Sequence, residues 1–146
     1  MRNNHALLAR VKSYMPRVLL LDDEPLITML LEDILEQLRY EIVGPAHSVA
    51  VALDLIETTP PDAAILDVNL YNELSYPAAD ALRIRRIPFM FLTGYGAPGI
   101  DARYRNEAVM TKPFDFETIR EALSHLLDPG RCGKVSTSSE RPPGSA

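Results

Sequence analysis

The sequence contains one cysteine, Cys132, and no long apolar stretch. A single cysteine excludes an internal disulfide framework and any metal site built from several thiolates. No apolar run approaches the roughly 18 residues that a bilayer-spanning helix needs, so we predict no membrane insertion. Arg10 and Lys12 interrupt the weakly apolar N-terminal stretch, which makes it a poor signal peptide. Together these absences indicate a soluble protein of the cytoplasm.

The sequence also has fewer basic than acidic residues. Lysine and arginine together number 15 against 20 acidic residues, which gives a net charge of −5. A nucleic-acid-binding surface needs a basic patch or stripe to neutralise phosphates, and the sequence shows none. We therefore predict no direct contact with nucleic acid.

The 146 residues, 47% of them hydrophobic, are enough for one domain with an ordinary core. We assign this domain to residues 17–127, after an N-terminal extension over residues 1–16 with a weak helical pattern. Residues 128–146 are rich in glycine, proline and serine and have few large apolar side chains. Such a segment cannot bury enough surface to offset the entropy of ordering it, so we predict a disordered tail.

Within the domain, short apolar runs alternate with helical patterns. The runs RVLLL, EIVG, DAAILD, IPFMFLT and EAVMT predict five strands, the second of them closed by Gly44–Pro45. Between them we predict about five helices, with Ser48 and Asp115 as N-caps and Pro77 in a first turn. Runs that are apolar on both faces and joined by helices indicate an α/β fold, a five-stranded parallel sheet with helices on both faces.

Polar residues stand where the predicted strands end. Asp22 and Asp23 follow the first strand, Asp67 ends the third, Thr93 ends the fourth and Lys112 follows the fifth. In open parallel sheets the carboxyl ends of the strands form the ligand site, so these side chains are expected to converge. Clustered carboxylates need a countercharge, and a hard cation such as Mg²⁺ with oxygen ligands supplies it. The set suits the binding or transfer of a phosphoryl group.

Four segments, LLLDDE, AAILDVNL, FLTG and TKPF, in this order and spacing, resemble the signatures of the response-regulator receiver domain of two-component signalling. The resemblance covers about residues 17–127. It implies a flavodoxin-like, doubly wound sheet with strand order 2-1-3-4-5. It also implies that Asp67 accepts the phosphoryl group, that Thr93 and Lys112 contact that group, and that the Lys112–Pro113 peptide is cis.

The same resemblance implies the ligands of the cation. Asp23 and Asp67 would bind Mg²⁺ directly, Asp22 mostly through water, and Asn69 through its backbone carbonyl. Glu24 is left without a firm role and is expected to face solvent at the first helix, where it would shape access to the site rather than hold metal.

The segment PFMFLTGYG resembles a receiver subfamily named for the motif Pro-Phe-x-Phe-Ala-Thr-Gly-x-Tyr, with Leu92 in place of alanine and Tyr95 one place early. Such proteins are commonly stand-alone receivers of alphaproteobacteria that work with HWE-type histidine kinases. Most receivers have an aromatic switch residue three positions before the lysine, where this chain has Val109. Tyr95, or the loop that begins at Gly94, is therefore our candidate for the switch, and the small Gly94 leaves the phosphoryl group accessible.

The resemblance implies a single-domain response regulator that signals through an unidentified downstream protein or by phosphate flow. It would catalyse only its own phosphorylation and dephosphorylation, so we do not expect an enzyme with a separate substrate. Two alternatives stay open: a receiver that binds its partner without phosphorylation, and a phosphatase of the haloacid-dehalogenase type. The second would need a general acid two residues after Asp67, where this chain has Asn69.

Overall fold

The computed structural model describes residues 15–94 and 99–128. Its main sheet consists of five strands: β1 (Arg17–Leu21), β2 (Glu41–Ala46), β3 (Ala63–Asp67), β6 (Phe89–Thr93) and β7 (Ala108–Thr111). Two short strands form a separate antiparallel hairpin: β4 (Asn69–Leu70) and β5 (Glu73–Leu74). The described helices are α1 (Pro25–Gln37), α2 (Val49–Thr58), α3 (Tyr76–Ile84), α4 (Phe116–Leu127) and a short 3₁₀ helix (Ala102–Tyr104).

The five strands of the main sheet are parallel and lie in the order β2-β1-β3-β6-β7. Without the hairpin strands this is the predicted order 2-1-3-4-5. Helices α2 and α3 cover one face of the sheet, and α1 and α4 cover the other. The predicted flavodoxin-like α/β fold is confirmed.

Alternate residues of β1 belong to different cores, which explains why residues 18–21 are all apolar. Leu19 packs in the core beneath α2 and α3, whereas Leu20 packs in the core beneath α1 and α4. Both side chains are fully buried. A strand covered on both faces has no solvent side that would favour polar residues.

The predicted helix starts are confirmed. Ser48 Oγ accepts a hydrogen bond from the N–H of Val51 at the start of α2, over 3.3 Å. Asp115 caps α4 through the N–H of Thr118, and the Thr118 hydroxyl accepts from the N–H of Asp115 in return. Proline occupies the first turn of α3, as predicted for Pro77. Each cap satisfies an N–H group that the helix itself leaves without an acceptor.

The prediction that Gly44–Pro45 closes the second strand is wrong. β2 runs through this pair, whose peptide is cis, and ends at Ala46. Gly44 has a φ of +98°, which a residue without Cβ adopts readily. The pairing of β1 with β2 shifts register between Leu19 and Leu21, so the irregularity is absorbed within the sheet.

Three further features differ from the sequence prediction. The β4–β5 hairpin was not predicted, because strands of two residues have no detectable period. The described residues contain four α-helices and one 3₁₀ helix, where about five helices were predicted. Most of residues 1–16 and 128–146, predicted as extension and tail, lie outside the described residues. In the described part of the chain, no helix has the length and apolar character to cross a bilayer.

Candidate functional site

The strand ends bring four of the predicted residues to one edge of the sheet. Asp22 follows β1, Asp67 ends β3 and Thr93 ends β6, and all three are buried. The N–H of Lys112 donates to the carbonyl of Thr93 over 2.8 Å, which fixes the residue after β7 beside the end of β6. The convergence follows from the parallel register, because neighbouring strands all end at this edge.

The ammonium of Lys112 lies among three carboxylates. Its Nζ atom is 3.6 Å from Asp67 Oδ2, 3.9 Å from Asp22 Oδ2 and 3.2 Å from Glu24 Oε1. The side chains of Asp22 and Asp67 are 2% and 7% exposed, that of Lys112 is 21% exposed and that of Glu24 is 59% exposed. The aspartates are therefore the most deeply buried charges of the site, and Glu24 lies at its solvent-exposed opening, here called the mouth.

Burial and charge shift the protonation of these groups. Burial, followed by the negative charge of Asp22, raises the pKa of Asp67 to about 7, against the attraction of Lys112. Burial also raises the pKa of Asp22 above its ordinary value. For Lys112, burial alone would lower the pKa, but the carboxylates of Asp67 and Asp22 outweigh it and the pKa is raised. Lys112 is therefore a fixed positive charge in a site that has an excess of negative charge.

The acid cluster fits a hard cation. Carboxylate oxygens of Asp22, Glu24 and Asp67 lie within 4.8 Å of one another. Asp22 Oδ2 is buried and has no hydrogen-bond partner among the described residues. A buried carboxylate oxygen that accepts no hydrogen bond is destabilising unless another group interacts with it. Mg²⁺ binds carboxylate oxygens of this type.

Two of the predicted cation ligands have other surroundings. Asp23 is outside the cluster of close oxygens, and its Oδ2 accepts a hydrogen bond from the N–H of Tyr71 in the hairpin. Asn69 opens β4, two residues after Asp67, and is exposed. Their roles as metal ligands stay predictions.

The sequence interpretation missed two contacts at this site. Glu24 faces solvent as expected, with 59% of its side chain exposed, but it also accepts a hydrogen bond from Lys112. His47 Nδ1 lies 2.9 Å from the carbonyl oxygen of Asp22 and so contacts the loop that holds the acids. Glu24 belongs to the acidic run itself and was identifiable on that ground, but nothing in the sequence relates His47 to Asp22.

The predicted switch residues are only partly described. Gly94 is exposed, and a Cβ atom built on it meets no atom within 4 Å among the described residues other than its chain neighbours. Tyr95 lies outside the described residues. The Val109 side chain is buried at the position where most receivers have an aromatic ring.

A buried aromatic side chain that the sequence interpretation missed lies in the connection between β6 and β7. Tyr104 is fully buried, and its ring stacks on that of Tyr76 with the centroids 4.5 Å apart. It also meets the ring of Phe91 edge to face at 5.7 Å. Because Phe91 precedes Thr93 by two residues in β6, this cluster connects α3 to the strand that ends in the site.

These observations describe an acidic site at the strand ends, with two buried aspartates, an ammonium group and carboxylate oxygens that fit a hard cation. A comparison with protein-family models matches residues 18–124 to the response regulator receiver domain. The chain belongs to this family. Domains of this family are typically non-catalytic signalling domains that work with histidine kinases and downstream proteins, and the match is not to a phosphatase of the haloacid-dehalogenase type.

Solved structures and curated sequences agree with the assignment. SdrG of Sphingomonas melonis Fr1 is 46% identical, with a TM-score of 0.70 over 77% of this chain and 97% of SdrG. The receiver domain of PhyR from Erythrobacter litoralis is 29% identical, with a TM-score of 0.72 over 83% of this chain and 96% of that domain. The transcriptional regulatory protein PdtaR of Mycobacterium tuberculosis is 34% identical over 134 residues, which are 86% of this chain. The chain spans 65% of the length of PdtaR.

Proposed function

We propose that this receiver accepts a phosphoryl group from a histidine kinase on the carboxylate of Asp67, with Mg²⁺ bound beside it. The observation that supports this proposal most strongly is the position of Lys112 Nζ, which lies 3.6 Å from Asp67 Oδ2 in a buried acidic site of a receiver domain. An ammonium in this place offsets charge on a phosphoryl group that joins Asp67.

The transfer is a substitution at phosphorus. An oxygen of the ionised Asp67 carboxylate attacks the phosphorus of a phosphohistidine, the O–P bond forms, and the P–N bond breaks with its electron pair going to the imidazole. Lys112 favours the ionised form of Asp67 that the attack needs. Thr93, buried at the end of β6, is proposed to donate its hydroxyl to a phosphoryl oxygen after transfer.

The acids around Asp67 are proposed to hold the cation. Asp22 and Asp67 supply buried carboxylate oxygens, and Asp23 and the Asn69 carbonyl complete the proposed set. Bound Mg²⁺ would supply positive charge that offsets the phosphoryl oxygens. Gly94 leaves open space beside Thr93, through which donor and water reach the site.

The partners are proposed from the relatives. SdrG and PhyR, both receivers similar to this chain, support the assignment to the alphaproteobacterial subfamily and thus to an HWE-type histidine kinase in the cytoplasm. PhyR of Bartonella quintana, 27% identical, is described as an anti-anti-sigma factor, which is a role in protein–protein contact. We propose that this receiver likewise signals by contact with a downstream protein or by phosphate flow.

The test is phosphorylation by a small donor. Wild type and Asp67→Asn are incubated with acetyl phosphate and Mg²⁺, and the intact mass of each is measured. We expect one added phosphate on the wild type and none on Asp67→Asn, and none on either without Mg²⁺. A cognate histidine kinase is then used as the donor in the same comparison. A wild type that gains no phosphate from either donor, or an Asp67→Asn protein that gains as much, would overturn the proposal.

A further inference from the structure

Glu24 lies at the mouth of the acid site. Of the three carboxylates around Lys112, those of Asp22 and Asp67 are buried, whereas the Glu24 side chain is 59% exposed. Of the three carboxylates, that of Glu24 is therefore the most accessible to solvent and to a phosphodonor dissolved in it. Because both donor and glutamate are negatively charged, they compete for the same positive group.

The Glu24 side chain has no part in holding the helix that follows it. Its N–H donates to Asp22 Oδ1 over 2.9 Å, and its carbonyl accepts from the N–H of Thr28 at the start of α1. Glu24 is the N-cap residue of α1, but its side chain makes no capping hydrogen bond, and Pro25 fills the first helical position. The main chain thus fixes Glu24 in place and leaves its carboxylate available to Lys112.

The hydrogen bond of the ammonium goes to Glu24 rather than to Asp67. Lys112 Nζ donates to Glu24 Oε1 over 3.2 Å, while Asp67 Oδ2 is 3.6 Å away. An ammonium that pairs with an outer carboxylate is less available to a phosphoryl oxygen on Asp67. The two carboxylates hold Lys112 between an outer and an inner partner.

We propose that Glu24 is a positioning residue that competes with the phosphoryl group for Lys112. The inference rests on the proposed function, since it names the group that restrains phosphoryl transfer to Asp67. The Glu24 carboxylate takes the place on the ammonium that a phosphoryl oxygen takes after transfer. Glu24 therefore slows phosphorylation by small donors, and it shortens the lifetime of the phosphorylated state by drawing Lys112 outward.

Both affected steps are simple substitutions. In the first, an Asp67 oxygen attacks the phosphorus of acetyl phosphate, and the acetate leaves with the electrons of the broken P–O bond. In the second, water attacks the phosphorus of the acyl phosphate, which releases inorganic phosphate, restores the Asp67 carboxylate and frees a proton. In the phosphorylated protein, Lys112 stabilises the phosphoryl oxygens on Asp67. Pairing of Lys112 with Glu24 weakens this stabilisation and therefore favours loss of the phosphate.

Two substitutions separate contact from charge. Glu24→Gln keeps the length of the side chain and removes its charge, whereas Glu24→Asp keeps the charge and shortens the reach by about 1.5 Å. Glu36→Gln is the matched control for net charge, because Glu36 is an exposed acid of α1 that forms no ion pair with Lys112 among the described residues. Phosphorylation by acetyl phosphate at saturating Mg²⁺ and the subsequent loss of phosphate are followed by intact mass.

We expect Glu24→Gln to be phosphorylated about two- to fivefold faster than wild type, the range that one partly exposed ion pair allows, and to lose phosphate more slowly. Glu24→Asp should also be faster, because it no longer reaches Lys112, and Glu36→Gln should match the wild type. A wild-type rate in Glu24→Asp would show that charge at the mouth acts without the contact. Unchanged or slower phosphorylation of Glu24→Gln, or an equal gain in Glu36→Gln, would also overturn the inference.

A second measurement examines the contact without metal or donor. The chain has three lysines, so Lys112 is readily assigned among ¹⁵N-labelled lysine ammonium groups by NMR. Glu24→Gln should shift the Lys112 Nζ signal and speed its proton exchange with water, and an unchanged signal would refute the contact. If the signal responds but neither wild type nor variant gains phosphate from acetyl phosphate or a kinase, the proposed function fails. If both gain phosphate at equal rates, only the role of Glu24 fails.

Discussion

The backbone N–H of Tyr71 donates a hydrogen bond to Oδ2 of Asp23, which ties the β4–β5 hairpin to the loop after β1. The hairpin has a second attachment, because Glu73 Oε2 accepts from the N–H of Val49 at the start of α2 over 2.9 Å. Asp23 therefore serves the hairpin in the metal-free protein and is also a proposed ligand of Mg²⁺. The proposed metal site and the hairpin therefore share one carboxylate.

Replacing Asp23 by asparagine should weaken metal binding while keeping the fold. The asparagine side chain has an oxygen that can still accept from Tyr71, but it lacks the charge that a hard cation needs. Mg²⁺ should raise the Tm of the wild type because it binds the folded state, and the rise should be smaller in Asp23→Asn. A tenfold loss of affinity corresponds to about 1.4 kcal/mol less stabilisation at saturating metal.

The measurement is thermal unfolding with and without excess Mg²⁺. Glu36→Gln removes one negative charge from exposed α1 surface and should keep the whole rise in Tm. A full rise in Asp23→Asn would mean that Asp23 does not bind the cation.

In the metal-free protein, replacement of Asp67 by asparagine should increase stability. Burial and the charge of Asp22 raise the pKa of Asp67 from 3.8 to about 7, so the folded state is penalised when this carboxylate is ionised. The penalty is absent below pH 3.8, grows as the pH rises, and is complete above about pH 7. We expect a gain on the order of 1–2 kcal/mol at the upper end, less than the full shift implies because water at the open side screens the charges.

Urea unfolding of both proteins at several pH values, in the presence of a chelator, measures this difference. The stability of Asp67→Asn relative to the wild type should increase from pH 4 to pH 7. With excess Mg²⁺ the order should reverse, because the metal stabilises the wild type more. A difference that is constant with pH would contradict the assigned shift.

The strands and the site could be predicted because they leave strong local patterns. The run from Val18 to Leu21 is apolar because both faces of β1 are buried, and the acids after it mark the strand end. The order and spacing of the four receiver motifs then predicted which strand ends lie close together. Ser48 and Asp115 were recognisable because capping needs particular side chains at particular offsets.

Contacts between distant segments could not be predicted in the same way. The hydrogen bond of Tyr71 with Asp23 uses a backbone N–H that every residue except proline has, so the sequence does not mark it. Met29 lies in an apolar run of the sequence but is 62% exposed on α1, because the stripe of the helix that faces the core is narrower than the apolar run. Tyr104 follows a glycine-rich segment without a helical period, which hid its burial.

The Tyr104 hydroxyl should ionise only at high pH. Burial, followed by its hydrogen bond to Asp80 Oδ1, raises the pKa of this phenol to about 12. Since the folded pKa lies above the unfolded value of 10.0, the contribution to stability is complete below pH 10 and is lost as the pH rises towards 12. Tyr104→Phe removes the hydrogen bond and leaves Asp80 without this donor, at a cost of about 1 kcal/mol.

Ultraviolet absorbance titration of the tyrosines checks the shift. The wild type has six tyrosines, and the difference between its titration and that of Tyr104→Phe isolates the ionisation of the Tyr104 hydroxyl. Tyr71→Phe is the control, because Tyr71 is 81% exposed and its loss should leave both the late titration and the stability unchanged. A Tyr104 difference curve centred at pH 10 would contradict the raised pKa of this hydroxyl.

Two glycines should respond in opposite ways to alanine. Gly44 has a φ of +98°, and a Cβ atom there would lie 2.7 Å from the backbone nitrogen of Ala46. Since neither the strained backbone nor the strand nitrogen can yield easily, Gly44→Ala should cost about 2 kcal/mol or more. A Cβ on Gly94 would meet no atom within 4 Å, so Gly94→Ala should leave stability almost unchanged.

The two variants are compared by urea unfolding and by phosphorylation with acetyl phosphate. Gly44→Ala should lower the urea midpoint, while Gly94→Ala should unfold like the wild type. A larger side chain, as in Gly94→Leu, should slow phosphorylation without loss of stability, because it fills the open space beside Thr93 through which a donor approaches. Wild-type phosphorylation in Gly94→Leu would show that the donor reaches Asp67 by another path, and a stable Gly44→Ala would show that β2 can rearrange around Pro45.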